Sequence, residues 1–140
     1  MTENFKIIGS FIKDMSSETP DTQTYIFVRD KISKYKLNID INSKAVKDGI
    51  IEVNIILKFL DQPEILKKAY FEITYTSIVK VDENVSDKKE MEKIILCDVP
   101  NKIYPDLEKI FLNLLTDSGY PGIKIEKKVD FTELYKQRAN

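Results

Sequence analysis

A chain of 140 residues is the size of one domain, and with 42% hydrophobic and 32% charged residues it can build a core, which excludes a disordered polypeptide. Its 22 basic and 23 acidic side chains leave a net charge of -1. That balance excludes a general electrostatic pull toward nucleic acid or an anionic membrane, so any charged recognition has to be local.

From Phe5 to Val81 the dominant apolar period is two, which predicts strands. Phe5, Ile7 and Phe11 mark one, and Leu37, Ile39 and Ile41 mark another. Asp48-Gly49 predicts a turn before a strand from Ile50 to Leu60, and Asp61-Gln62-Pro63 marks the break before a strand from Ala69 to Val81. These last two are expected to pair antiparallel. Beyond them the period changes: Asp87 to Leu96 predicts a helix with Met91, Ile94 and Ile95 on one face and Ser86 as its N-cap. After a break at Val99-Pro100-Asn101, Pro105 takes the first position of a second helix. There Leu107, Ile110, Phe111, Leu114 and Leu115 recur at i, i+3, i+4, i+7 and i+8, and Gly119 stops the run. Tyr120-Pro121-Gly122 predicts a turn, Ile123 and Ile125 alternate briefly, and Asp130 caps a last short helix, Phe131 to Arg138, with Phe131, Leu134 and Tyr135 on one side. The class that results is α+β, in one domain spanning 1–140.

The central strands are apolar on both faces. Ile51, Val53, Ile55, Leu57 and Phe59 lie on one side of the first, and Ile50, Ile56 and Leu60 on the other. An antiparallel sheet covered by helices on one face should be polar on the other. The extra apolar groups point to self-association through the sheet or to a tail folded over it, and patterning leaves both open.

Much chemistry is missing. The chain has no histidine, and its four glycines, Gly9, Gly49, Gly119 and Gly122, form neither a phosphate loop nor a dinucleotide fingerprint. Cys97, the one cysteine, follows the apolar run Ile94 to Leu96 and reads as a buried, inert thiol; it can form no intramolecular disulfide and cannot make a zinc site alone. Carboxylate pairs such as Asp14 with Glu18, or Glu90 with Glu92, read as solvated charges. The expectation is a protein without catalytic residues, cofactor or metal. A cytoplasmic location is expected, because Met1 to Lys6 lacks the apolar stretch of a signal peptide and no run is long enough to span a bilayer, so no membrane insertion is foreseen.

Two stretches carry a family resemblance. Phe11-Ile12-Lys13-Asp14-Met15-Ser16-Ser17-Glu18-Thr19-Pro20 resembles the early signature of the protein-export chaperone family SecB. Pro100-Asn101, Ile103-Tyr104-Pro105, Gly119-Tyr120-Pro121, Val129-Asp130-Phe131 and Leu134-Tyr135 follow the order and spacing of the C-terminal half of that family. The resemblance implies a four-stranded antiparallel sheet with helices packed on one face, assembled as a dimer of dimers, a homotetramer. It implies an ATP-independent holdase that keeps precursor proteins unfolded and delivers them to the motor SecA. By matching position, SecA contacts fall on Asp14, Glu18, Tyr70 and Glu72, with Tyr70 standing where the family usually has Leu. Client contacts fall on Leu37, Ile39, Phe131, Leu134 and Tyr135, and each of these residues also has a reading as core. The chain departs from the pattern in its near-neutral charge, in Lys127-Lys128 ahead of Val129, in Thr76-Ser77 where the family has a glycine pair, and in ending at Asn140. These departures bear on SecA docking, so a SecB-like chaperone dedicated to one client, such as an antitoxin, is the alternative.

Overall fold

The computed structural model describes residues 4–60, 68–125 and 129–139. The break at Asp61-Gln62-Pro63 and the pair Lys127-Lys128 lie outside them.

Four strands form one antiparallel sheet: β1 Phe5–Glu18, β2 Lys36–Lys47, β3 Ile50–Leu60 and β4 Tyr70–Val81, in the order β1-β4-β3-β2. The expected turn at Asp48-Gly49, with Gly49 at φ +73°, closes β2 and β3 into a hairpin, and β3 pairs antiparallel with β4 as expected. Along β3 and β4 the odd-numbered residues face the core, and Val53, Ile55, Leu57, Phe71, Ile73 and Val79 are buried. The apolar alternation thus fixes which face the helices cover.

One face assignment reverses. Phe5 and Ile7 pair with Val81 and Val79 on the core side, but a bulge at Ile8 inserts an extra residue, and Phe11 then pairs with Thr76 on the outer side. A second bulge, at Lys13, restores the phase, so Met15 lies opposite Ile73. Phe5, Ile7 and Phe11 therefore do not share a face.

The stretch between β1 and β2 falls inside the zone read as strand, yet it holds a helix, α1 Thr22–Arg29, and a 3-10 turn, Ile32–Lys34. Asp21 caps α1 by accepting a hydrogen bond from the Thr24 N–H at 2.7 Å, and Val28 and Ile32 are buried. A helix this short has little stability alone, so its contacts with the core hold it.

The C-terminal helices also differ from the expectation. α2 Lys88–Lys93, capped by Asp87 in place of Ser86, runs through a π-helical turn, Ile94–Asp98, into α3 Val99–Asp117 without a break at Val99-Pro100-Asn101. The Val99 N–H bonds the Ile94 carbonyl, five residues back. That wider turn makes room for the Pro100 ring at the carbonyl four residues before it, where a proline would otherwise break the helix. Pro105 lies inside α3. At its end the Tyr120 N–H bonds the Leu115 carbonyl at 2.8 Å and Gly119 adopts φ +102°, the left-handed stop the sequence announces. Ile123 and Ile125 form no strand. Finally α4, Phe131–Ala139, starts where Asp130 accepts bonds from the Thr132 and Glu133 N–H groups.

Aromatic rings join the layers. Phe59 meets Tyr35 at 5.3 Å, Phe111 of α3 at 5.2 Å and Phe71 at 6.2 Å between centroids; Phe71 meets Tyr120 at 5.5 Å, and Tyr120 meets Tyr25 of α1 at 5.3 Å. All helices pack on one side. The C-terminal segment packs there too, with Phe131 against Tyr104 at 5.4 Å, so it does not cover the outer face.

Candidate functional site: an apolar groove and a charged sheet face

β2 is an edge strand, and its core-side residues Leu37, Ile39 and Ile41 pair with Phe59, Leu57 and Ile55 yet remain half-buried. The helical layer stops short of this edge and leaves a row of clefts along it. One cleft of about 890 Å³ lies between Leu37, Ile39 and Leu134, bordered by Ile125 and Val129. A second, of about 380 Å³, joins Ile39 and Ile41 to Leu96, Phe131, Leu134 and Tyr135. A third, of about 480 Å³, continues past Ile41 to Met91 and Ile95. Shared residues make these one groove with an apolar floor.

All five residues assigned to clients fall along it, in different roles. Leu134 is 47% exposed and presents its side chain to solvent, whereas Phe131 is 1% exposed and anchors α4. Leu37, Ile39 and Tyr135 are half-buried walls. The contributions of Ile41, Met91, Ile95 and Leu96 were not visible in the sequence, because their spacing is that of core residues.

The opposite face of the sheet is polar at its centre. The Thr76 hydroxyl donates to Asn54 Oδ1 at 2.6 Å, and Asn54 Nδ2 donates to Asn42 Oδ1 at 2.8 Å and to Glu52 Oε2 at 3.0 Å. Lys13, set on the second bulge of β1, reaches Glu52 at 3.2 Å. The Glu52 carboxyl is held below its ordinary range by the Asn54 hydrogen bond first and by Lys13 second.

Asp14, Glu18, Tyr70 and Glu72 meet at one end of this face. Glu18 pairs with Tyr70, Ser16 with Glu72 and Asp14 with Thr74, all on the outer side. The Tyr70 hydroxyl donates a hydrogen bond to Glu72, and Lys58 lies 3.9 Å from the same carboxylate. That bond, then burial, then the negative charges of Glu72, Glu18 and Asp14 push the Tyr70 phenol up to about 12. The β1 edge beside this patch carries Ile8, Phe11, Ile12 and Met15, all more than 40% exposed, a feature hidden from sequence because both faces of one edge strand contribute.

Cys97 is free and buried, within 3.4 Å of the Thr132 hydroxyl. Among the described residues, no three potential ligands cluster to hold a metal ion, and no helix is long and apolar enough to cross a membrane.

A family model described as preprotein translocase subunit SecB matches residues 1–140. A protein-export SecB relative in Pelagibacter ubique is 91% identical over the whole of both chains. The protein-export protein SecB of Rhodospirillum rubrum is 28% identical, over 95% of this chain and 81% of its own. That of Methylocella silvestris is 25% identical, over 93% and 79%. Among solved structures, the SecB-like chaperone of Mycobacterium tuberculosis, in complex with an antitoxin peptide, superposes with a TM-score of 0.65 at 11% identity, covering 90% of this chain and 91% of that one.

Proposed function

This chain belongs to the SecB family of protein-export chaperones, and on that premise we propose that it is an ATP-independent holdase that binds unfolded precursors in the β2 groove and passes them to SecA. Membership places it among chaperones and not among enzymes. The observation that carries the reading is the groove: Leu37, Ile39, Ile41 and Leu134 leave apolar surface open beside an unpaired strand edge. Apolar burial is non-directional and tolerates many sequences, as a chaperone of unfolded chains requires. Asp14, Glu18 and Glu72, clustered on the outer sheet face with Tyr70 orienting Glu72, form the SecA-docking patch. Exposed carboxylates complement a basic partner and speed its encounter, an effect that salt weakens. The exposed apolar residues of β1 give one protomer an edge to pair with its partner, which supports the dimer of dimers. The whole chain acts as one domain, in the cytoplasm.

The test is refolding of a slow-folding precursor with and without the purified protein, in the absence of nucleotide. Delayed refolding, lost in Leu134→Asp but kept in Asp14→Lys/Glu72→Lys, supports the groove reading, and loss of SecA binding in the second variant supports the docking patch. A wild-type protein that leaves refolding unchanged defeats the holdase. Client binding without SecA binding in the wild type assigns the protein to a dedicated client instead.

A further inference from the structure

The outer face of the sheet is polarised along the strands. One end carries the four acids Asp14, Glu18, Glu72 and Asp40 with the two lysines Lys36 and Lys58, two negative charges in excess; the other carries the one acid Glu52 with the four lysines Lys6, Lys44, Lys47 and Lys80, three positive charges in excess. Lys6 and Lys80 stand directly opposite each other on neighbouring strands, an unfavourable like-charge pair. None of these four lysines makes an ion pair with a described residue. Between the ends runs the row Phe11, Thr76, Asn54 and Asn42. Asn54 and Thr76 are nearly inaccessible and already hydrogen-bonded, so covering them leaves no polar group unpaired.

We infer that this face pairs with the same face of a second copy, about a two-fold axis running across the strands at the Phe11–Asn42 row, and that the pairing covers the acidic patch. Counting residues from that row, Glu72 lies four before Thr76 on β4 and Lys80 four after it, while Asp40 and Lys44 lie two either side of Asn42 on β2. The axis therefore sets Glu72 over the partner's Lys80 and Asp40 over the partner's Lys44, each twice, and brings the two half-exposed Phe11 rings together. Four strands of about twelve residues offer roughly 800 Å² per copy, the area of a standard specific interface. A second copy is favoured over other occupants because the net charge of each end of the face is complementary to that of the opposite end. Glu52 and Lys58, which the axis sets over the partner's apolar residues, keep Lys13 and Glu72 of their own chain as partners. The pairing stands on this geometry alone. Its consequence, that stored chaperone hides its acids until a basic partner competes for them, rests on the docking reading above.

The experiment is the mass of the full chain in solution at low and high salt, for the wild type, Lys80→Glu, Glu72→Lys, and an equimolar mixture of the two variants. Expected are a salt-sensitive species twice the mass of the high-salt assembly, loss of that species by at least tenfold in each variant alone, and its return in the mixture, where every contact again joins opposite charges. No salt-sensitive doubling, or a mixture that associates no better than its components, overturns the pairing. Wild-type binding to phosphatidylglycerol vesicles that Lys80→Glu abolishes, without any doubling in mass, also overturns it and assigns the lysines to a membrane surface. If the mixture re-associates while Glu72→Lys leaves SecA binding intact, the pairing holds and the docking reading falls.

Discussion

Asn54 holds the outer face together because one side chain ties β3 to both neighbouring strands. Replacing it with Ala leaves the fully buried Thr76 hydroxyl without its acceptor, and about 1–3 kcal/mol of stability is expected to go, read as a lower urea midpoint at unchanged slope. Glu52 belongs to the same network. Its carboxyl releases its proton more readily in the fold than in the unfolded chain, whose value is 4.5, so its contribution is complete above that value and fades as the pH falls through its lowered folded value. Glu52→Gln is therefore expected to lower stability at neutral pH, where the ionised carboxylate contributes fully, and to flatten the acid limb of the stability curve, so that variant and wild type converge as the pH falls. Tyr70 reports on the patch: in Glu72→Gln its phenol should fall from about 12 toward the ordinary 10, followed by tyrosine ring NMR at alkaline pH. A Tyr70 titration unmoved by that change would mean that burial, and not the Glu72 bond, sets it.

At the scale of elements, the ends of α3 and α4 matter most. Gly119 ends α3 with φ +102°, and a Cβ there would stand 2.8 Å from a Tyr25 ring carbon. Gly119→Ala is expected to cost about 1–3 kcal/mol through backbone strain alone, with a further cost from displacing Tyr25. α4 carries two residues of the groove that should separate by experiment. Phe131→Ala removes a buried ring packed on Tyr104 and is expected to cost about 3–5 kcal/mol. Leu134→Ala, at an exposed position, should change stability by less than about 0.5 kcal/mol and yet weaken client binding. Equal losses of stability in both variants would make Leu134 part of the core and close the groove at that point.

For the whole molecule, the two faces of one sheet divide the work. The helical face forms the core and leaves a groove at the β2 edge, while the outer face keeps its charge and its hydrogen bonds in view. Apolar capture at the groove should be insensitive to salt, whereas any contact through Asp14, Glu18 and Glu72 should weaken as ionic strength rises. Binding of an unfolded client and of SecA measured across a salt series should therefore diverge. Parallel loss of both would place the client on the charged face.

Much of this was written in the residue order. Period-two runs fixed β3 and β4 and the face they bury, Asp48-Gly49 fixed the turn before β3, and Gly119 and Asp130 fixed helix ends, because each rests on local backbone preference or on alternation. The signature stretches fixed the family. The phase of β1 was not legible, since a bulge leaves no mark in an apolar pattern and yet sends Phe11 to the opposite face. Nor was the continuity of α2 into α3, which depends on a π turn making room for Pro100, or the helix at Thr22–Arg29, whose one buried apolar residue, Val28, means nothing until the sheet lies beneath it. The groove belonged to the tertiary structure for the same reason. Leu37, Ile39, Phe131 and Leu134 have identical apolar character in the sequence, and only the distance at which the helices stop from the β2 edge decides which of them is sealed and which is left open.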